Sequence, residues 1–324
     1  VIFVHGKLCH DIFGEKMNKA IETLQERGFF NQCTDLEGLS SLMDKGPITF
    51  YVGCDPTGKS LHIGHMVPFF ALRWLRSFGH VGVALIGGGT GRIGDPSGKT
   101  EMRKMLDYSQ IDANVESIKT QLDKFIGFDG KTAFAVNNAD WLADVNYIDF
   151  LREIGSCFSV NKMLTFEEYK LRLERGLSFL EFNYMLLQGY DFCVLYQKYD
   201  CRAQIAGSDQ WGNITSGTEL GRRKYDVELF GYTSPIITDA NGKKMGKSEG
   251  NAVWINEDKL SSYDYYQYFR NTPDDLVEKF LKIFTEIPLD EIEKLSALQG
   301  AELNAAKKIL AYSATEIAHG ADAA

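Results

Sequence analysis

The sequence lacks three features that would each point to a class on their own. No two of its six cysteines (Cys9, Cys33, Cys54, Cys157, Cys193, Cys201) form a C-x-x-C pair. A disulfide framework or a four-ligand zinc site therefore has no support in a chain of 324 residues. Scattered, reduced thiols fit a cytosol-like compartment, and a cytoplasmic location is the expectation. No apolar run approaches the ~20 residues that span a bilayer; stretches such as Val81–Ile86 and Met66–Leu72 are far shorter, so no membrane anchor is expected. Excess positive charge is also missing, the formal net charge being −9. A polyanionic partner must then be sought in local clusters, Lys99/Arg103/Lys104, Arg222/Arg223/Lys224 and Lys243/Lys244/Lys247. Each of these reads equally well as solvated surface.

What is present is an ordinary globular make-up, 44% hydrophobic and 24% charged, with length enough for two domains and a large core. Residues 1–16 precede Met17 and carry Lys7 and Asp11 inside a short apolar stretch, a poor secretory signal. They are read as a leader or upstream remnant.

From Met17 to Asp44 apolar residues recur at helical spacing (Ile21, Leu24, then Leu39, Leu42). The β-branched and aromatic run Ile48–Gly53 predicts a strand that stops at Asp55-Pro56-Thr57-Gly58. A helix is expected from near His62 to Ser77, capped by Ser60 and closed by Gly79. A second strand, Val81–Ile86, runs into Gly87-Gly88-Gly89-Thr90-Gly91. Strand, helix, strand is a βαβ unit and implies a parallel sheet covered by helices. Further elements are expected at Asn114–Phe125 (helix), Ala133–Asn137 (strand), Tyr147–Tyr199 (helix-rich), Arg202–Ala206 (strand) and Ile236–Thr238 (strand-like). Beyond Ser261 only helical periodicity remains. The fold class is thus α/β, a Rossmann-like parallel sheet in residues 17–250 followed by an all-α unit in 251–324.

Three motifs invite chemistry. Gly89-Thr90-Gly91-Arg92-Ile93-Gly94 satisfies G-x-G-x-x-G after a strand, with Asp112 eighteen residues beyond, so a dehydrogenase using NAD is one candidate class. That fingerprint should open a helix directly, and Asp95-Pro96-Ser97-Gly98 interrupts one. Gly98-Lys99-Thr100 imitates the end of a P-loop, but Ile93 stands where the required glycine belongs. The second motif is His62-Ile63-Gly64-His65. Two histidines three apart at a helix start share a face and lack the spacing of a metalloprotease pair. No metal site is expected; beside a helix N-terminus the two rings suit anionic oxygens, and Gly64 allows close approach. The third is Lys244-Met245-Gly246-Lys247-Ser248, two lysines able to neutralise charge growing on a polyphosphate. A polar helix face and a solvated lysine turn are the plain alternatives.

Together these motifs resemble the paired HIGH and KMSKS-like signature of class I aminoacyl-tRNA synthetases. The stretches YVGCDPTGKSLHIGH (51–65), GGGTGRIGDPSGKTEMR (87–103), LEFNYMLLQGYD (180–191) and QIAGSDQWGNITSG (204–217) are similar to bacterial-type tyrosyl-tRNA synthetases in particular. The resemblance implies that ATP and L-tyrosine form tyrosyl-adenylate, with Mg2+ accompanying ATP, and that the tyrosyl group passes to tRNA(Tyr). It implies Thr57, His62, His65, Lys99, Arg103, Lys244, Lys247 and Ser248 around the phosphates and ribose. Gly53, Asp55, Gly64, Gly207 and Asp209 would line the nucleotide. For tyrosine it implies Tyr51 and Asp191 at the phenol, Asp95, Tyr184 and Gln188 at the ammonium, and Gln210 at the carboxyl end. Because a tryptophanyl enzyme would share the architecture, Tyr51 and Asp191 carry the tyrosine expectation. Phe179 matches a homodimer interface position. The sequence departs from the pattern in the middle glycine of KMGKS, and the S4-like RNA-binding domain that follows the helical unit in bacterial relatives is expected to be absent.

Overall fold

The computed structural model describes residues 17–97, 105–174, 176–238, 245 and 252–324. The proposed leader 1–16, Lys99, Arg103, Lys104, Lys243, Lys244, Lys247, Ser248 and the boundary near Gly250 lie outside the described residues.

Two short helices, α1 (Lys19–Glu26) and α2 (Leu36–Asp44), begin at Asn18 and Asp35, whose side chains accept from the backbone N–H groups of Ala20 and Gly38. Between them lies β1 (Gln32–Cys33), too short to leave a periodic signal. Then come β2 (Thr49–Cys54), α3 (Ile63–Ser77), β3 (Val81–Ile86), α4 (Tyr108–Ile126) and β4 (Ala133–Asn137). The helix-rich stretch divides into α5 (Ala139–Leu142), α6 (Tyr147–Glu153), α7 (Val160–Met163), α8 (Glu167–Leu173), α9 (Phe179–Phe182) and α10 (Tyr184–Tyr199). β5 (Cys201–Gly207), α11 (Trp211–Tyr225) and β6 (Phe230–Ser234) complete the α/β part. The last helices are α12 (Ser262–Arg270), α13 (Val277–Phe284), α14 (Leu289–Ser296) and α15 (Leu303–His319).

The sheet order is β1-β6-β5-β2-β3-β4. All neighbours pair in parallel except β1, which runs antiparallel to β6 at one edge. The sheet is therefore the expected Rossmann-like parallel one, with a single antiparallel strand added at its edge. β2 and β3 are buried along nearly their whole length, as expected for strands covered on both faces. From β2 the chain proceeds outward to β3 and β4, whereas β5 and β6 lie on its other side. Strand direction of progress thus reverses between β2 and β5, the place where an open α/β sheet leaves a crevice at the carboxyl ends of its strands.

Two local expectations fail for physical reasons. Ser60 does not cap α3; its buried Oγ donates to Leu61 O at 2.8 Å and accepts from Asn256 N at 3.0 Å. Nor do Ile236 and Ile237 form a strand, which lies instead at Phe230–Ser234. Gly231 hides that strand by breaking its apolar run, yet a Cβ there would sit 2.1 Å from Ile214 Cγ2. Helix α11 can pack so closely on β6 only because position 231 has no side chain.

The main core is continuous from sheet to helical tail. Phe70 on α3 meets Phe125 of α4 at 4.7 Å and Phe284 of α13 at 5.7 Å between ring centroids, and Phe284 meets Phe269 of α12 at 5.2 Å. Arg27 adds a polar joint: its buried guanidinium lies 3.7 Å over the Trp74 ring and donates to the carbonyls of Lys282, Thr285 and Ile287. It satisfies carbonyls at the end of α13 that the helix itself cannot.

Candidate active site

One cleft, with a cavity volume of about 170 Å³, opens at the carboxyl ends of β2, β3 and β5. Every expected site residue within the described part of the chain lines it: Tyr51, Gly53, Asp55, Thr57, His62, Gly64, His65, Asp95, Tyr184, Gln188, Asp191, Gly207, Asp209 and Gln210. Positions spread over 160 residues of sequence are brought to one place by the sheet.

The histidine end is built on the start of α3. His62, not Ser60, is the N-cap: its Nδ1 accepts from Gly64 N at 3.1 Å, while His65 Nδ1 accepts from His62 N at 3.3 Å. This is a reciprocal capping box made of two imidazoles. With both Nδ1 atoms acting as acceptors, each neutral ring carries its proton on Nε2. The rings stack with centroids 3.7 Å apart and planes 25° from parallel. Gly64 sits in a tight place: a Cβ there would lie 3.1 Å from the His62 ring and 3.2 Å from Met245 O. Two Nε2 donors beside the N-terminus of a 15-residue helix make an anion-favouring end.

The opposite end is closed and contains a buried carboxyl. Asp191 is 1% exposed. It accepts from Asn138 Nδ2 at 2.8 Å and Trp141 Nε1 at 2.7 Å. Burial pushes its pKa up to about 7, against the pull of those two donors, with the nearby Asp55 adding to the rise. Tyr51 comes from β2 and packs edge-on against Phe192 at 5.1 Å. Its hydroxyl is buried and has no hydrogen-bond partner among the described residues, and burial also raises its pKa well above the usual phenol range. Gln204 Oε1 and Ser234 Oγ, in residues that line the same cavity, are buried in the same condition. Buried polar atoms without partners are costly, so a ligand able to pair with them is strongly favoured here.

Between the two ends, Tyr184, Gln188 and Asp191 project from one face of α10, at spacings of four and three. Tyr184 Oη donates to Asp55 Oδ2 at 3.0 Å, and Thr90 Oγ1 donates to Asp55 Oδ1 at 2.7 Å. Gln210 Nε2 donates to Asp95 Oδ2 at 2.8 Å, tying the loop after β3 to the start of α11.

Three residues of this network escaped the sequence reading: Thr90, Asn138 and Trp141. Asn138 donates to both Thr90 Oγ1 and Asp191, and its carbonyl oxygen accepts from Gly89 N at 2.7 Å. Two consecutive amides, Asn137 and Asn138, at the end of a parallel strand were the available signal. They also dispose of the dinucleotide alternative. The N–H groups of Gly88 and Gly89 are held by Asn137 Oδ1 and Asn138 Oδ1, and residues 90–92 form a single 3-10 turn, not the start of an α-helix. A pyrophosphate would find those donors already taken.

Among the described residues no cluster of three or more His, Cys, Asp or Glu side chains is arranged to hold a metal ion. No described helix is long and apolar enough to cross a membrane.

Comparison with known proteins gives the family. The tyrosine–tRNA ligase of Treponema denticola is 58% identical over 95% of this chain and 75% of its own length. That of Clostridium botulinum is 52% identical over 94% of the chain and 75% of its own length. A solved C-terminally truncated mitochondrial tyrosyl-tRNA synthetase from Aspergillus nidulans superposes with a TM-score of 0.84 at 32% identity, covering 95% of this chain and 91% of that one. The family model of class I tRNA synthetases for tryptophan and tyrosine matches residues 43–324. By fold and sequence alike, the chain belongs to the class I tRNA synthetases of the tryptophan and tyrosine group.

Proposed function

We propose that this chain joins tyrosine to tRNA(Tyr) by way of tyrosyl-adenylate. The observation that carries the choice of amino acid is the end of the cleft where the buried Asp191 carboxyl and the Tyr51 hydroxyl, which has no partner among the described residues, both line the cavity. A phenol satisfies both, as donor to Asp191 and acceptor from Tyr51. A phenylalanine ring would fill the space, leave the Tyr51 hydroxyl buried without a partner and offer no donor to Asp191, costing far more than a missing methylene.

In this reading the tyrosine ammonium lies against Asp95, Tyr184 and Gln188, and its carboxylate points toward the α3 N-terminus. The carboxylate oxygen attacks the α-phosphorus of ATP; the new P–O bond forms as the bond to pyrophosphate breaks, and no protein nucleophile takes part. Catalysis is then positioning and charge stabilisation. His62 and His65 donate from Nε2 to oxygens gaining charge, helped by the helix N-terminus, with Thr57 beside them. Asp209 suits a ribose hydroxyl, and Gly53, Gly64 and Gly207 leave room for the nucleotide. Lys99, Arg103, Lys244, Lys247 and Ser248 are assigned to the departing pyrophosphate by motif alone. Mg2+ is expected to enter with the ATP phosphates as part of the substrate. The tyrosyl group then passes to the terminal adenosine of tRNA(Tyr), with 17–250 as the catalytic unit and 251–324 as the anticodon-side unit. A homodimer is proposed through the surface bearing Phe179, which is 69% exposed.

The test is pyrophosphate exchange measured with each amino acid in turn. Tyrosine alone should support it, and a tryptophan-dependent or amino-acid-independent signal would refute the reading. Tyr51→Phe should then cut the preference for tyrosine over phenylalanine about tenfold, the worth of roughly one neutral hydrogen bond; unchanged selectivity would remove Tyr51 from the phenol site.

A further inference from the structure

We propose that Trp254 is a positioning residue that holds the His62 ring in place for the adenylate-forming step, an inference that rests on the function proposed above. Trp254 belongs to none of the sequence motifs and follows directly on the lysine segment. Its backbone is strapped to the start of α3: Ile63 N–H donates to Val253 O at 3.0 Å and Ile255 N–H donates to Leu61 O at 2.9 Å. Those two bonds bracket an antiparallel bridge between His62 and Trp254. The bridged pair itself exchanges no hydrogen bonds, the arrangement in which Cα atoms approach to about 4.5 Å and facing side chains lie nearest. Asn256 N–H extends the strap to Ser60 Oγ at 3.0 Å, which explains why Ser60 is buried there and does not cap the helix.

The side chains follow the backbone. The indole and the His62 imidazole have centroids 6.0 Å apart at 67°, an edge-to-face pair. His65 stacks on His62 at 3.7 Å, so the imidazole is bounded by a ring on each of two sides. Lys259 Nζ lies 5.3 Å over the indole and helps to seat it. With Nδ1 committed to Gly64 N, the direction of the Nε2 proton follows the ring plane, and the indole and the His65 ring are two of the contacts that bear on that plane. Trp254 thus links the chain leaving the lysine segment to the group expected to meet the anionic oxygens. It touches His62, not substrate.

The experiment compares wild type, Trp254→Phe, Trp254→Leu and Trp254→Ala. In tyrosine-dependent pyrophosphate exchange, Trp254→Ala should lower kcat at least tenfold with KM for tyrosine unchanged, because the phenol end is remote from the strap. Trp254→Phe, which keeps a ring, should recover most of the loss. Trp254→Leu keeps apolar bulk and should melt near wild type yet lose activity like alanine, separating positioning from folding. In a His62→Asn background the further cost of Trp254→Ala should largely vanish, since the two act as a unit. An independent readout needs no activity: the His62 Cε1–H NMR signal of the ligand-free protein, assigned by His62→Asn, should move when the indole is removed. Additive losses, an unchanged kcat, or a rise in tyrosine KM as the main effect would overturn the proposal. An unmoved His62 signal would overturn it by itself. Absence of tyrosine-dependent exchange in wild type would instead refute the adenylate reading, while the NMR signal still decides whether the indole holds the ring.

Discussion

Replacing Asp191 by asparagine should make the protein more stable in alkaline solution while impairing tyrosine selection. Asp191 is fully buried, and its pKa in the folded chain is pushed up to about 7 from a usual value near 3.8, chiefly by desolvation. A carboxyl whose folded pKa is raised binds its proton more tightly in the native state than in the unfolded chain. Its stabilising contribution is therefore complete below about pH 3.8 and is lost as pH rises through about 7. Between pH 5 and 8 the loss is roughly 1.36 kcal/mol for each pH step below 7, or about 2.7 kcal/mol in all. With an unfolding entropy of roughly 0.7 kcal/mol/K for a chain this long, that corresponds to a fall of about 4 °C in Tm. Asparagine has similar size, can still accept from Trp141 Nε1, and does not titrate. The assay is calorimetric melting of wild type and Asp191→Asn at pH 5, 6, 7 and 8, taking the difference in Tm so that other titrating groups cancel. The variant should gain on wild type as pH rises, by about 4 °C over the range. Parallel curves would show that Asp191 does not titrate near neutrality. In the exchange assay the same variant should lose discrimination against phenylalanine by more than Tyr51→Phe does, because hydrogen bonds to charged groups are worth about 1.5–3 kcal/mol.

Two other substitutions probe the frame of the site. Gly64→Ala inserts a Cβ 3.1 Å from the His62 ring and 3.2 Å from Met245 O, so the ring or the loop must give by a few tenths of an ångström; kcat for exchange should fall with little change in tyrosine KM, and a wild-type kcat would show that the cap has slack. Arg172 and Glu181 form a buried pair at 2.9 Å, both side chains no more than 3% exposed, beneath the surface that carries Phe179. Arg172→Met should destabilise by about 3–5 kcal/mol in denaturant titration, and the double variant with Glu181→Leu should recover much of it; equal losses in single and double variants would contradict that account.

Much of the site could be read from the sequence because its chemistry is local there. His62 and His65 share one helical turn, and Tyr184, Gln188 and Asp191 follow helical spacing, so each group had to face one way once its helix formed. β2, β3 and β4 were recognisable as β-rich apolar runs ended by glycine, proline or asparagine. β1 and β6 were not, since one has two residues and the other is broken by a glycine whose reason lies across the chain at Ile214.

Sequence alone determined the α/β class, the order of the motifs and the residue types available for catalysis, because periodicity and turn chemistry act over a few residues. Only tertiary structure decided what those residues became. Asp191 reads as a surface acid on a helix until β4 and α5 bring Asn138 and Trp141 to it and the sheet removes its water. His62 reads as one half of a polar pair until the chain near Trp254, some 190 residues later, returns to lie against it. Desolvation and long-range contact arise only when distant segments meet, and no local pattern encodes them.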